Sequence, residues 1–220
     1  MAHRARAAMT LTLPSTLQTA GNAAAIAALR RYYGDPYLEA GRCYVGAYFD
    51  SWTATRDTTD RSDGFTADDL IAVSFLSVEV KPLAAREILA TRADHFADLL
   101  AKIGPDRDLA DEHDPLTQSW PAWQLDTQLR KLPGVGRTIA SKLLARKRPR
   151  LLPIWDTVIA AVLGTQGQHL EPIRIALRHN DHELDKRLRH IRDIAGLPEH
   201  ISVLRTLDVI AWMDGKVRGY

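Results

Sequence analysis

The stretch Leu132, Pro133, Gly134, Val135 and Gly136 constrains this chain more than any other. No helix runs undisturbed through it, because proline fixes one backbone angle and lacks an amide, and two glycines around a single residue favour a tight turn. On either side the pattern is helical. Trp120 to Arg130 is amphipathic after Pro121, and beyond Gly136 the residues Ile139, Ala140, Leu143 and Leu144 share one face. The expectation is two helices joined by a hairpin over residues 120–148. Gly134 and Gly136 permit positive φ and carry no Cβ to hold a ligand away. The free amides and the positive dipole end of the second helix then point at the turn, an arrangement that suits a phosphate.

Charge supports the same ligand, though only locally. A net charge of +2 would not concentrate polyanions over the whole molecule. Between Thr127 and Trp155, however, there is no acidic residue, while Arg130, Lys131, Arg137, Lys142, Arg146, Lys147, Arg148 and Arg150 all fall there. Such a segment is read as contacting a nucleic-acid backbone rather than its bases, with a solvated basic face as the alternative for Arg146–Arg150.

Elsewhere the sequence predicts helices and no strand, so the fold class is all-α. Residues 1–17 read as a loose tail and 18–220 as one helical domain, with a C-terminal helical lobe over 169–220. A helix is expected over Gln18–Tyr33, and another over Tyr37–Trp52 from the spacing of Tyr37, Tyr44, Tyr48 and Trp52, whose aromatics are placed in the core ahead of a base-stacking role. Thr66 and Asp69 form a helix start in the manner of a capping box, ahead of the apolar run Leu70–Val78 that Lys81 and Pro82 bring to an end. The helices that follow are placed at Leu83–Ala90, His95–Ile103, Leu170–Arg178, His182–Ile194 and Glu199–Trp212. The lone Cys43 leaves no intrachain disulfide, cysteine-rich zinc site or four-cysteine iron–sulfur cluster. No metal or cofactor is expected. No run approaches membrane-spanning length, and a cytoplasmic setting is the expectation.

Residues 120–148, with Asp156 twenty residues after Gly136, resemble the helix-hairpin-helix DNA glycosylase superfamily that includes endonuclease III. The likeness extends upstream to the Asp69–Glu79 helix, which resembles the superfamily helix that ends near the base pocket. It suggests a divergent bacterial member with an all-α, helix-hairpin-helix architecture and no iron–sulfur cluster. The resemblance implies that Leu132, Gly134, Val135, Gly136, Arg137, Thr138 and Lys142 contact a DNA backbone, that Asp156 is catalytic, and that Glu79 and Trp155 line a base pocket. Departures accompany it. Thr138 stands where bifunctional members carry a lysine nucleophile, and threonine forms no Schiff base. Glu79 replaces the superfamily's glutamine, and the bulky Trp155 precedes the aspartate. The activity implied is a monofunctional DNA N-glycosylase in base excision repair, and the alternative is a non-catalytic DNA-binding module. Asp156 also stands before Thr157, Val158 and Ile159 as a helix N-cap, a role compatible with catalysis.

Overall fold

The computed structural model describes residues 11–18, 21–54 and 62–220. Every regular element among them is helical. In order these are α1 (Ser15–Gln18), α2 (Ala23–Tyr33), a 3-10 turn (Val45–Phe49), α3 (Ala67–Ser74), α4 (Pro82–Arg86) continuing into one π turn (Glu87–Thr91), and α5 (Ala93–Ile103). After a second 3-10 turn (Leu109–Asp111) come α6 (Pro121–Leu129), α7 (Arg137–Lys147), α8 (Thr157–Leu163), α9 (Leu170–Ile194) and α10 (Val203–Val217). Among the described residues no helix is long and apolar enough to cross a membrane.

The helix α10 is the axis of one side of the molecule. It packs on α8, α2 and α9, and it is buried on nearly every face, Leu204, Leu207, Val209, Ile210 and Ala211 among its core residues. Ser202 caps it by accepting from the Arg205 amide at 3.0 Å. On the other side α5 packs on α6, α6 on α7, and α7 on α3. The capping box is formed: Thr66 Oγ1 accepts from the Asp69 amide at 3.3 Å, and Asp69 Oδ2 accepts from the Thr66 amide at 2.9 Å.

Four expectations differ from the structure. Residues 37–52 do not form an α-helix. Leu38 and Gly41 adopt positive φ and only Val45–Phe49 turns helically, because the aromatics find separate burial: Tyr44 stacks on Tyr32 at 5.5 Å, whereas Tyr48 and Trp52 pack on Phe75. The tail drawn over residues 1–17 is not loose from Leu11 onward. Leu17 is in the core, the Thr12 amide donates to the Leu163 carbonyl at 3.1 Å, and the Ser15 amide donates to Asp214; residues 1–10 lie outside the described part. The helix expected through Val78 ends at Ser74, with Ser77 at φ +60°. The break expected between Arg178 and His182 is a kink inside α9, where Asn180, Asp181 and His182 leave helical geometry.

Candidate functional site

The hairpin is built from its two apolar residues. Leu132 and Val135 are buried, while Pro133, Gly134 and Gly136 face solvent. The Leu132 amide donates to the Leu129 carbonyl at 3.0 Å and the Val135 amide to the Leu132 carbonyl at 3.1 Å, closing successive tight turns between α6 and α7. Leu132 and Val135 therefore anchor the turn and leave its backbone to meet a ligand. Positive φ, which both glycines permit, occurs only at Gly134 (+78°); Gly136 is extended at φ −90° and ψ −178°. Gly136 takes the N-cap position of α7 without a side-chain cap, and nothing lies within 4 Å of where its Cβ would be. Open approach, rather than a special angle, is what glycine provides there.

Most of the basic segment turns inward. Arg148 is almost wholly buried and donates to the carbonyls of Gly104 (2.6 Å), Ser62 (2.8 Å) and Leu100 (3.1 Å), and it also bonds Asp63. Arg146 donates to the Phe49 carbonyl at 2.8 Å and pairs with Asp69, which Lys147 also meets at 3.1 Å. These cations are struts that tie α7 to α3 and to loops, neither a solvated face nor a backbone grip. Arg150 pairs with Asp108. Lys142, expected at the DNA surface, is only 4% exposed. The cations left facing solvent at the hairpin are Lys131, Arg130, paired with Asp126 at 3.3 Å, and Lys81, whose stem lies against Gly134. Arg137 is half-covered: its guanidinium lies 4.4 Å over the Trp155 ring and donates to the Gln166 carbonyl at 2.9 Å. Burial, and then Arg130, lower its pKa.

After α7 the chain runs without regular structure through residues 152–156, extended at Asp156 and gripped at several backbone atoms. The Ile154 amide donates to Asp208 Oδ2 at 3.2 Å, and the Ile154 carbonyl accepts from His169 Nε2 at 3.0 Å, with His169 Nδ1 2.7 Å from the Thr165 hydroxyl. Ser141 Oγ accepts from the Trp155 amide at 3.0 Å. Trp155 lines one cavity and Asp156 another.

Asp156 Oδ1 accepts from the Val158 amide at 3.0 Å, so it caps α8 as its position suggests. Its Oδ2 lies 3.6 Å from Lys142 Nζ, which also donates to the Leu76 carbonyl at 2.8 Å. Burial pushes the Lys142 ammonium below the ordinary lysine value, with Asp156 opposing the shift. Both groups line a cavity of about 540 Å³. Tyr32, Tyr44, Phe75 and Trp212 supply aromatic wall, Trp212 meeting Tyr32 and Tyr44 edge-on at 5.9 Å and 5.7 Å. Thr138 reaches it from the first turn of α7, and residues 75–78 bring the end of the Leu70–Val78 run to its rim. Glu79 does not line it: the chain has turned out at Ser77, and Glu79 pairs at the surface with Lys81 at 2.7 Å, its side chain 69% exposed.

A buried network that no sequence motif announces reaches the cavity wall through Tyr32 and Arg205. Arg205 donates to Asp50 at 3.0 Å and 3.1 Å and to the Tyr32 hydroxyl at 2.8 Å, and Asp50 accepts from Tyr33. Three residues on, burial pushes the Asp208 carboxyl up to about 7 against the pull of Arg205. The sequence signal was present. With Val203, Val209 and Met213 outside the apolar face of α10, little solvent-facing surface remains for Arg205 and Asp208.

Fold and site together define an all-helical protein in which an exposed glycine hairpin leads, through a single helix, to an aromatic-walled cavity holding a carboxylate and an amine. Residues 25–215 match the model of a family of unknown function, DUF6308, and the chain belongs to that family. No curated protein and no solved structure matches the chain.

Proposed function

We propose that this protein grips the phosphate backbone of DNA at residues 132–136 and acts as a monofunctional DNA N-glycosylase of the helix-hairpin-helix type, with Asp156 as its catalytic group. One arrangement carries the reading: α7 starts at the hairpin and, within its first two turns, presents Thr138 and Lys142 to the cavity that Asp156 enters. A strand held by the hairpin would thus have an unstacked nucleotide within reach of the carboxylate. The cavity volume falls in the range of small-molecule pockets, roughly 300–1,000 Å³. Its aromatic rings offer stacking surfaces to a base taken out of the duplex.

The chemistry follows from charge. As the C1′–N bond breaks, its electron pair leaves with the base and positive charge develops on the sugar. Asp156 Oδ2, the oxygen that does not make the cap, can stabilise that charge or take a proton from water, whose oxygen bonds to C1′. The departing base takes up a proton. Thr138 offers no amine at the lyase position, and Lys142 is engaged by Leu76 and Asp156, which favours hydrolysis over a covalent sugar adduct.

Incubation with duplexes carrying deaminated, oxidised, alkylated or mismatched bases tests this. The native protein is expected to release base from at least one, and Asp156→Asn to do so about 100-fold more slowly or worse. Equal release by both removes Asp156 from the mechanism. Binding without release on every substrate favours a non-catalytic DNA-binding module. Failure to bind duplex, nicked or single-stranded DNA at low salt removes both readings.

A further inference from the structure

Three cations line the cavity of Asp156, and two of them are matched by acids. Lys142 lies 3.6 Å from Asp156, and Arg205 donates to the two carboxylate oxygens of Asp50 at 3.0 Å and 3.1 Å. The third, Lys216, is exposed and has no acidic partner among the described residues. The acid nearest it in sequence, Asp214, is engaged elsewhere: it is buried, accepts from the Ser15 amide at 3.2 Å and pairs with Arg218 at 3.3 Å. Asp156 is the only carboxylate among the lining residues and already faces Lys142, so Lys216 leaves this edge of the cavity with a positive charge in excess.

Packing fixes where that charge sits. Gly215 is buried, and a Cβ there would collide with Val158 Cγ1, so only glycine lets α10 come this close to α8. Val158 is the residue whose amide Asp156 caps. Lys216, the next residue, therefore leaves α10 beside the start of α8. Its Nζ lies 5.6 Å from the centre of the Trp212 ring, itself part of the cavity wall. An exposed cation over an indole is held by only about 0.5–1 kcal/mol and keeps its N–H donors for an anion.

A nucleotide whose base enters the cavity brings its sugar to the edge, and with it the two phosphates bonded to that sugar. We propose that Lys216 pairs with one of these two phosphates, a contact separate from the hairpin at residues 132–136 and made by a different helix. The inference rests on the DNA reading given above and adds a division of labour to it. The hairpin holds the strand, and Lys216 holds the one nucleotide that has left the stack. Lys216 therefore counts toward binding only when a nucleotide is out of the duplex, and it does so whether or not a base is released.

Fluorescence anisotropy with a duplex carrying one tetrahydrofuran abasic site, beside the fully paired duplex of the same sequence, reads the contact. Lys216→Gln is expected to weaken binding of the abasic duplex about five-fold, the upper worth of an exposed ion pair, and to lower its salt slope by about 0.9, one phosphate contact. Binding of the paired duplex is expected to stay unchanged. Lys216→Arg keeps the charge and is expected to bind as the native protein does. Lys186→Gln, which removes a cation of α9 paired with Asp181, controls for net charge and is expected to have no effect. An uncharged methylphosphonate in place of one of the two phosphates beside the abasic sugar is expected to cost the native protein the same factor and Lys216→Gln nothing further. Unchanged binding by Lys216→Gln, equal loss on both duplexes, equal loss in Lys186→Gln, or a Lys216→Gln variant as sensitive as the native protein to methylphosphonate at either position overturns the proposal and leaves the hairpin reading standing. Failure of the native protein to bind either duplex overturns the DNA reading and this contact with it.

Discussion

Asp156 and Lys142 face each other across 3.6 Å at the wall of one cavity, yet each also has a structural bond, Asp156 to the Val158 amide and Lys142 to the Leu76 carbonyl. Capping and chemistry at Asp156 use different oxygens and can be separated. Asn caps a helix about as well as Asp, whereas Ala loses roughly 1 kcal/mol. Asp156→Asn is therefore expected to melt close to the native protein and Asp156→Ala distinctly lower, while both lose base release. Thermal unfolding beside the glycosylase assay checks this; retained activity in the stable Asn variant would leave Asp156 as a cap alone.

Lys142 is the only amine that its helix brings to the cavity, and its two partners hold it. Borohydride added during reaction with abasic-site DNA is expected to trap no covalent protein–DNA species. A trapped species that disappears in Lys142→Ala would show that the amine attacks the sugar and would replace the hydrolytic reading with a lyase.

Asp208 and His169 hold the two backbone atoms of Ile154, and their titrations oppose each other. Asp208, at about 7 against an ordinary 3.8, binds its proton more tightly in the folded state, so its contribution to stability is full below about 4 and declines as pH rises toward 7. His169, lowered by burial to about 4 from 6.5, contributes stability above 6.5 that is lost as pH falls toward 4. Across the shared window the slopes offset. Asp208→Asn is expected to expose a stability that rises with pH between about 4 and 6.5, and His169→Gln one that falls between about 4 and 7. Denaturant unfolding at successive pH values reads both; parallel profiles for the two variants would rule out this assignment.

Arg148 is expected to matter to folding and not to DNA. Truncation to Ala empties a buried site and strips the carbonyls of Ser62, Leu100 and Gly104, and Asp63, of their donor, at a cost on the order of 3 kcal/mol. Lys131→Ala is expected to leave stability within about 0.5 kcal/mol and to lower the salt dependence of DNA binding by about one phosphate contact. Lowered DNA affinity in a folded, equally stable Arg148 variant would contradict the division.

Where signals are local, the sequence was a sufficient guide. The Thr66 and Asp69 box, the Asp156 cap and the two turns of the hairpin all lie within a few residues, and the structure holds each of them. Where a side chain's role depends on what lies opposite, the sequence was silent. Arg146, Lys147 and Arg148 read as surface charge because their acceptors, Asp69 and carbonyls of residues 49, 62, 100 and 104, are distant in the chain. Lys142 and Glu79 in effect exchanged places for the same reason. One lies in a helix that packs against α3, and the other lies past a left-handed residue that turns the chain outward.

Gly134 and Gly136 are the residues through which folding and binding at the hairpin come apart. Gly134 has φ +78°, and a Cβ there would meet Lys81 Cγ at 3.1 Å, so Gly134→Ala is expected to destabilise the protein by about 1 kcal/mol or more. Gly136 is extended with open space around it, and as an uncapped N-cap it gains from an acceptor: Gly136→Asp is expected to fold at least as well as the native chain. That same carboxylate would occupy the first-turn amides of α7 and repel a phosphate. If the hairpin holds a DNA backbone, Gly136→Asp loses affinity for every sequence alike with unchanged melting, read by fluorescence anisotropy at low salt. Undiminished binding by this variant would remove the hairpin from the interface.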